Sequence, residues 1–237
     1  MKRLTQFIKR YPPLYEALRY KVYARYRSVR RRQIFQTVYE SNYWDHAFSA
    51  SGPGSSLEAT EGIRNALPQL VEQLGAKSFL DIPCGDLRWM QNAVLRVQQY
   101  IGADIVGPLI ERNQTQFGDR GTFLQLDLVK DRLPRVDIIF CRDCFVHLSF
   151  RDIRLALNNV KRSASTYLLT TTFPEHKQNV DTVSPYWRAL NLELRPFNFP
   201  APISLLRDFS EGQPNDQGKY LGVWRIKDLH AAADQTR

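Results

Sequence analysis

Ser78-Phe-Leu-Asp-Ile-Pro-Cys-Gly-Asp-Leu-Arg-Trp89 is the stretch that decides the fold. Its apolar run, Phe79 to Ile82, stops at Pro83-Cys84-Gly85-Asp86, and helical spacing resumes at Met90, Ala93, Val94 and Val97. A buried strand, a tight turn and a helix in that order open a nucleotide-binding α/β domain. A ligand at such a turn sits over the carboxyl end of the strand and against the helix N-terminus, where unpaired N–H groups hold acceptor-rich groups. Gly85 has no Cβ to keep a cofactor away from the backbone.

The turn carries one glycine where a dinucleotide fingerprint carries three, and Asp81 and Asp86 flank it. Two carboxylates repel a pyrophosphate and favour a cation. The stretch therefore points away from NAD and towards a sulfonium, S-adenosylmethionine. Nineteen residues after Gly85, Tyr100-Ile-Gly-Ala-Asp104 reads as a second strand ending in an acid, placed to accept from ribose hydroxyls.

Three motifs follow one another: Asp81-Ile-Pro-Cys-Gly-Asp86 with Trp89, Tyr100-Ile-Gly-Ala-Asp-Ile-Val106, and Cys141-Arg-Asp-Cys-Phe-Val-His-Leu148. In these the chain resembles the class I S-adenosylmethionine-dependent methyltransferases, and among them a bacterial group, over roughly Tyr39 to Ile226. The resemblance implies a Rossmann-like α/β fold: a seven-stranded sheet closed by a terminal antiparallel hairpin. It also implies S-adenosylmethionine as cofactor, with Trp44, Asp81, Pro83, Cys84, Gly85, Asp104, Ile105 and Arg142 in its site. Asp127 and the N–H of Leu128 would meet the adenine edge, and the backbone at Ser51, Gly52 and Gly54 would meet the methionine carboxylate. For Asp127 a helix cap or a surface carboxylate is the competing reading.

The remaining elements suit that frame. Ser51-Gly-Pro-Gly-Ser-Ser56 is either a linker or a lid whose N–H groups form an anion nest. Ile63, Leu67 and Leu70 mark a helix, and Ile105 to Phe117 another, with Pro108 near its start. Thr122 to Asp127, Val136 to Cys141 and Thr166 to Thr172 read as the third, fourth and fifth strands, the last placing the hydroxyls of Thr170, Thr171 and Thr172 at its crevice end. Asn191 to Leu194 reads as the sixth strand, Asp208 to Lys219 as a polar surface loop, and Tyr220 to Ile226 as the last strand.

Charge divides the chain. The net +9 sits wholly in residues 1–40, which hold eleven Lys and Arg against two Glu. A basic helical arm (1–40) and a methyltransferase domain (41–237) are expected, the arm being separable from cofactor binding. In the arm Leu14, Leu18, Val22 and Tyr26 recur at helical spacing, and tyrosines alternate with arginines up to Arg30-Arg31-Arg32. Such a helix packs on the domain with its arginines in water, or meets an anionic membrane surface, or meets a nucleic-acid backbone. Three cysteines form no disulfide framework, and no apolar run reaches the roughly 18 residues of a membrane span. A cytoplasmic protein, peripheral at the inner membrane surface, is expected. The lone Cys141-x-x-Cys144 lacks two of the ligands zinc needs, so no metal is expected.

Methyl transfer is an in-line displacement that needs alignment and, for a weak nucleophile, a base. His147 is the candidate base, Asp143 its orienting partner or the group that holds a substrate hydroxyl, and Arg142 a partner for a substrate anion or for Asp143. Packing is the competing role for His147. The fourth strand ends in Cys-Arg-Asp-Cys rather than the [Asp/Asn]-Pro-Pro-[Tyr/Phe] of enzymes that methylate base amino groups. The expected activity is O-methylation of a small polar or glycan-type acceptor serving cell-surface polysaccharide. A nucleic-acid methyltransferase and a non-catalytic cofactor-binding module are the alternatives.

Overall fold

The computed structural model describes residues 31–44, 49, 51–208 and 218–229. The readings of residues 1–30, and of most of the loop after Asp208, lie outside the described residues. The helices are α1 (Arg31–Glu40), α2 (Glu61–Gln73), α3 (Gly107–Phe117) and α4 (Phe150–Arg162). The strands are β1 (Ser78–Asp81), β2 (Gln99–Asp104), β3 (Thr122–Gln125), β4 (Ile138–Cys141), β5 (Tyr167–Thr172), β6 (Ser204–Arg207) and β7 (Tyr220–Arg225).

One seven-stranded sheet runs in the order β3-β2-β1-β4-β5-β7-β6. The first five strands are parallel, with Leu80 of β1 facing Ile101 on one side and Ile139 on the other. β7 runs antiparallel to both β5 and β6, so the sheet closes on the expected hairpin. Strands covered on both faces need continuous apolar runs, and β4 (Ile-Ile-Phe-Cys) is buried throughout. Neighbouring residues point to opposite faces. Phe79, Ile138, Phe140 and Leu169 therefore meet Ile63, Leu67 and Val71 of α2, whereas Leu80, Ile139 and Leu168 meet Ile153, Leu157 and Val160 of α4. α4 starts where Ser149 Oγ accepts from Asp152 N at 3.1 Å, and Lys161 and Arg162 lie in its last turn, where cations suit a helix C-terminus.

Two expected elements are different. After the turn at Pro83 the chain makes only a 3₁₀ turn, Met90–Asn92, and no α-helix. Trp89 and Met90 anchor in the core, and the six residues left before β2 hold fewer than two helical turns, with Val94 75% exposed. Asn191 to Leu194 is a turn rather than the sixth strand. Leu190 and Leu192 are buried, but Asn191 spends its side chain on the carbonyls of Pro174 and His176, and Pro196 follows. The sixth strand is Ser204–Arg207, an edge strand of alternating exposure.

Gly222 in β7 leaves room for the Trp224 indole, which is buried and donates from Nε1 to Pro200 O at 2.8 Å. A Cβ on Gly222 would run into that ring. Gly222→Val is expected to destabilise the fold by about 1–3 kcal/mol, the usual cost of overpacking, read as a lower urea midpoint.

Candidate active site

The carboxyl ends of β1, β2 and β4 open into one cleft enclosing about 1130 Å³, its mouth included. Trp44, Ser51, Asp81, Pro83, Cys84, Gly85, Asp104, Ile105, Asp127, Leu128, Arg142, Asp143 and His147 all line it. Gly52, Gly54 and Asp86 do not. Asp86 Oδ1 instead accepts from Arg88 N in its own turn.

Asp104 is buried and knits the first two strand ends together, accepting from Gly85 N (3.2 Å) and Val106 N (3.0 Å). Burial pushes its carboxyl up to about 6, against those hydrogen bonds. Burial also pushes Asp81 up to about 7; the Tyr100 hydroxyl, donating at 2.8 Å, works the other way, and the charge of Asp104 adds to the rise. On this wall the charge of Arg142 lowers the Asp81 carboxyl, but burial outweighs it and both carboxyls stay raised. A cationic ligand with ribose hydroxyls fits that donor set.

Gly85 adopts φ +56°, and a Cβ there would collide with Ser51 Oγ. Its missing side chain makes room for the protein's own 51–56 loop, whose Ser51 Oγ accepts from Asp86 N at 3.2 Å. The Ser51 and Gly52 N–H groups expected in an anion nest are taken up within the loop itself. Ser51 N donates to Ser49 Oγ, Gly52 N to Ser49 O, Ser55 N to Gly52 O and Ser56 N to Pro53 O.

At the end of β4, Arg142 is buried and engaged by the protein itself. Its Nε and Nη2 grip both oxygens of Asp208 (2.9 and 3.0 Å), Nη2 also reaches Gly54 O (2.9 Å), and Nη1 lies 3.2 Å from Asp143 Oδ2. The guanidinium sits 5.2 Å from the Trp89 ring centroid. Of its two expected roles, the structure shows the pairing with Asp143. Asp208, expected on a surface loop, is 2% exposed. Lys219 completes the cluster, 2.7 Å from Asp143 Oδ2 and 3.2 Å from Asp208 Oδ2.

Asp143 adopts φ +52°, and its N–H donates to Thr171 Oγ1 at 2.8 Å. Burial works to raise its carboxyl, but Lys219 and Arg142 hold it well below the usual carboxylate range. Thr170 and Thr172 are spent on backbone groups, so the threonines brace the strand end and none lines the cleft. His147 stands on the 3₁₀ turn Phe145–His147 with Trp44 over it, ring centroids 5.4 Å apart. Asp143 does not orient it. Nδ1 lies 2.9 Å from Pro185 O, and because a carbonyl only accepts, Nδ1 carries the hydrogen and Nε2 the lone pair. Burial lowers the His147 pKa and keeps the ring neutral near pH 7. Cys84 also faces the cleft, but burial pushes its thiol up and leaves it inert.

Asp127 is ion-paired to Arg31, and Arg31, Phe35 and Tyr39 of α1 line the cleft. A boundary at residue 40 therefore cuts through the wall of the site. Arg31, Asp208 and Lys219 are the site residues that sequence reasoning missed.

No protein-family model matches the chain, and no curated relative does. Solved structures do. The 1,6-didemethyltoxoflavin-N1-methyltransferase of Burkholderia thailandensis, solved with 1,6-didemethyltoxoflavin and S-adenosylhomocysteine, is similar over 82% of this chain and 86% of its own, at 17% identity and a TM-score of 0.55. The methyltransferase domain of bacterial CtHen1 (the CN form) is similar over 70% and 98%, at 15% identity and a TM-score of 0.51. The fold is that of the class I methyltransferases. A Clostridium acetobutylicum S-adenosylmethionine-dependent methyltransferase aligns over 48% of this chain and about half of its own (52%), at 10% identity and a TM-score of 0.42.

In this methyltransferase fold the raised carboxylates set a pH dependence. Asp81 and Asp104 lie above the ordinary 3.8, at about 7 and about 6, so the native chain keeps protons that the unfolded chain has already released. Their contribution to stability is fully present below about pH 4 and is lost as pH rises through about 6–7. The ligand-free protein should melt at a lower temperature at about pH 7.5 than at about pH 5. Asp81→Asn, which cannot ionise, should flatten that decline in a thermal-melt series.

Proposed function

We propose that the cleft binds S-adenosylmethionine and that the chain directs its methyl group to an oxygen of a small polar or glycan-type acceptor. One observation carries the reading. A single cavity joins two desolvated carboxylates, Asp81 and Asp104, to a neutral histidine, His147, whose Nε2 has no hydrogen-bond partner among the described residues.

Asp104 interacts with the backbone N–H groups of Val106, Gly85 and Ile105 and retains a lone pair for a ribose hydroxyl, and Asp81 adds negative charge for a cation. S-adenosylhomocysteine bound to the Burkholderia enzyme, which shares the fold, supports the same cofactor class here. Bound there, S-adenosylmethionine supplies an activated methyl group. His147 takes the acceptor's proton at Nε2, and the Pro185 carbonyl fixes the tautomer that makes this possible. Asp143 is too acidic to act as a base and instead accepts a hydrogen bond from the acceptor. Trp44 shields His147 from bulk water. The basic arm would bring the protein to an anionic membrane surface, where each Lys or Arg contributes about 1 kcal/mol.

Transfer to nitrogen is the second reading. An ionised Asp143 can accept an N–H of a neutral amine whose lone pair attacks the methyl group, and the Burkholderia neighbour is an N1-methyltransferase.

Calorimetric titration with S-adenosylhomocysteine should show binding that Asp104→Ala weakens by at least about 1.5 kcal/mol. No response in the unaltered protein overturns the reading. With labelled S-adenosylmethionine and glycan or metabolite extracts, His147→Ala should lower turnover by ~10²-fold while homocysteine-adduct affinity is kept. Undiminished turnover assigns His147 to packing instead of base duty.

A further inference from the structure

We propose that Arg31 is a cofactor-site residue and that α1 roofs that site, its seating on Asp127 and Asp152 setting how tightly an adenosyl ligand is held. The proposal rests on the reading of the cleft given above.

Arg31 grips Asp127 as a fork, Nε to Oδ1 at 3.1 Å and Nη2 to Oδ2 at 2.8 Å, while Nη1 reaches Asp152 Oδ2 at 2.9 Å. Such bidentate, charge-assisted pairs fix geometry as well as charge. Arg31, Phe35 and Tyr39 recur every fourth residue, so one stripe of α1 faces the cleft. Ile34 and Val38 on the adjoining stripe are buried and hold the helix down. Ten residues of helix span ~15 Å. Beyond its end lies Trp44, beside His147. The helix thus reaches from the Asp127 end of the cleft towards the base.

Strand order says which part of a ligand Arg31 meets. Asp127 lies beyond β3, Asp104 ends β2, and Asp143 and His147 follow β4, with β1 between β2 and β4. A ribose at Asp104 whose methyl-bearing part turns towards His147 sends its base towards Asp127. There, two Arg31 N–H groups and Val129 N (2.9 Å) occupy three of the roughly four lone-pair sites on the Asp127 carboxylate. One site stays open for an exocyclic amino group. Arg31 itself uses three of about five N–H groups and presents a flat cation, a surface on which aromatic rings stack. The chemistry selected is a purine ring.

Calorimetry on the full chain, with S-adenosylhomocysteine and with adenosine as probes, tests this. Arg31→Ala should weaken both by the same factor, at least about tenfold, because the loss lies at the nucleoside end. Arg31→Lys should not restore affinity, since an ammonium cannot form the fork. Asp152→Asn changes a residue outside the cleft wall and takes the charge from one of the two anchors of Arg31, so it should weaken S-adenosylhomocysteine about threefold with the ligand-free melting temperature nearly kept. Tight binding by the unaltered protein with unchanged affinity in Arg31→Ala overturns this proposal alone. If Arg31→Ala does not fold, unchanged affinity in Asp152→Asn overturns it instead. Failure of the unaltered protein to bind S-adenosylhomocysteine removes the reading of the cleft and this proposal with it.

Discussion

Segments far apart in the chain converge on one buried guanidinium. Arg142 holds Asp208 from the end of β6, the Gly54 carbonyl from the 51–56 loop and Asp143 beside it, and lies over Trp89 from the first turn. A charge taken out of water costs several kcal/mol unless its donors are met, and each partner removed would leave the others stranded. The loops that frame the cleft therefore have little freedom to move independently. Lys219 brings a second cation to the same two carboxylates, which balances the cluster at two positive and two negative charges.

That balance makes the two ends of the cleft electrically unlike. At the β1 and β2 ends, burial of Asp81 and Asp104 outweighs the pull of Arg142 on Asp81, and their carboxyls titrate close to neutrality. At the β4 end, Asp143 is flanked by Lys219 and Arg142 and stays ionised. One residue type thus does two jobs, and its neighbours decide which. A positive ligand is drawn to the first end, whereas the second is left to accept hydrogen bonds.

Much of this was legible in the chain. Asp81 and Asp104 end short apolar runs, and Arg142, Asp143 and His147 follow a third, so local pattern alone places them at strand ends over a crevice. Leu190 and Leu192 alternate like a strand but serve a buried turn, because the Asn191 side chain captures the carbonyls a ladder would need. Met90, Ala93, Val94 and Val97 have helical spacing but too few residues before β2 to build the helix. Arg31, Asp208 and Lys219 carry no local mark. Their partners lie 96, 66 and 76 residues away in sequence, and a lone charge beside a strand or in a basic run looks the same whatever it will meet.

The four tryptophans occupy three kinds of surroundings. Trp44 and Trp89 line the cleft, Trp224 is sealed in the core with its Nε1 on Pro200, and Trp187 is 46% exposed. An indole's emission follows the polarity and the charges around it. The fold has therefore placed two native fluorophores on the cleft wall and two away from it. Replacing Trp187 and Trp224 with phenylalanine would leave a protein whose remaining glow reports the filling of the cleft, with no dye attached.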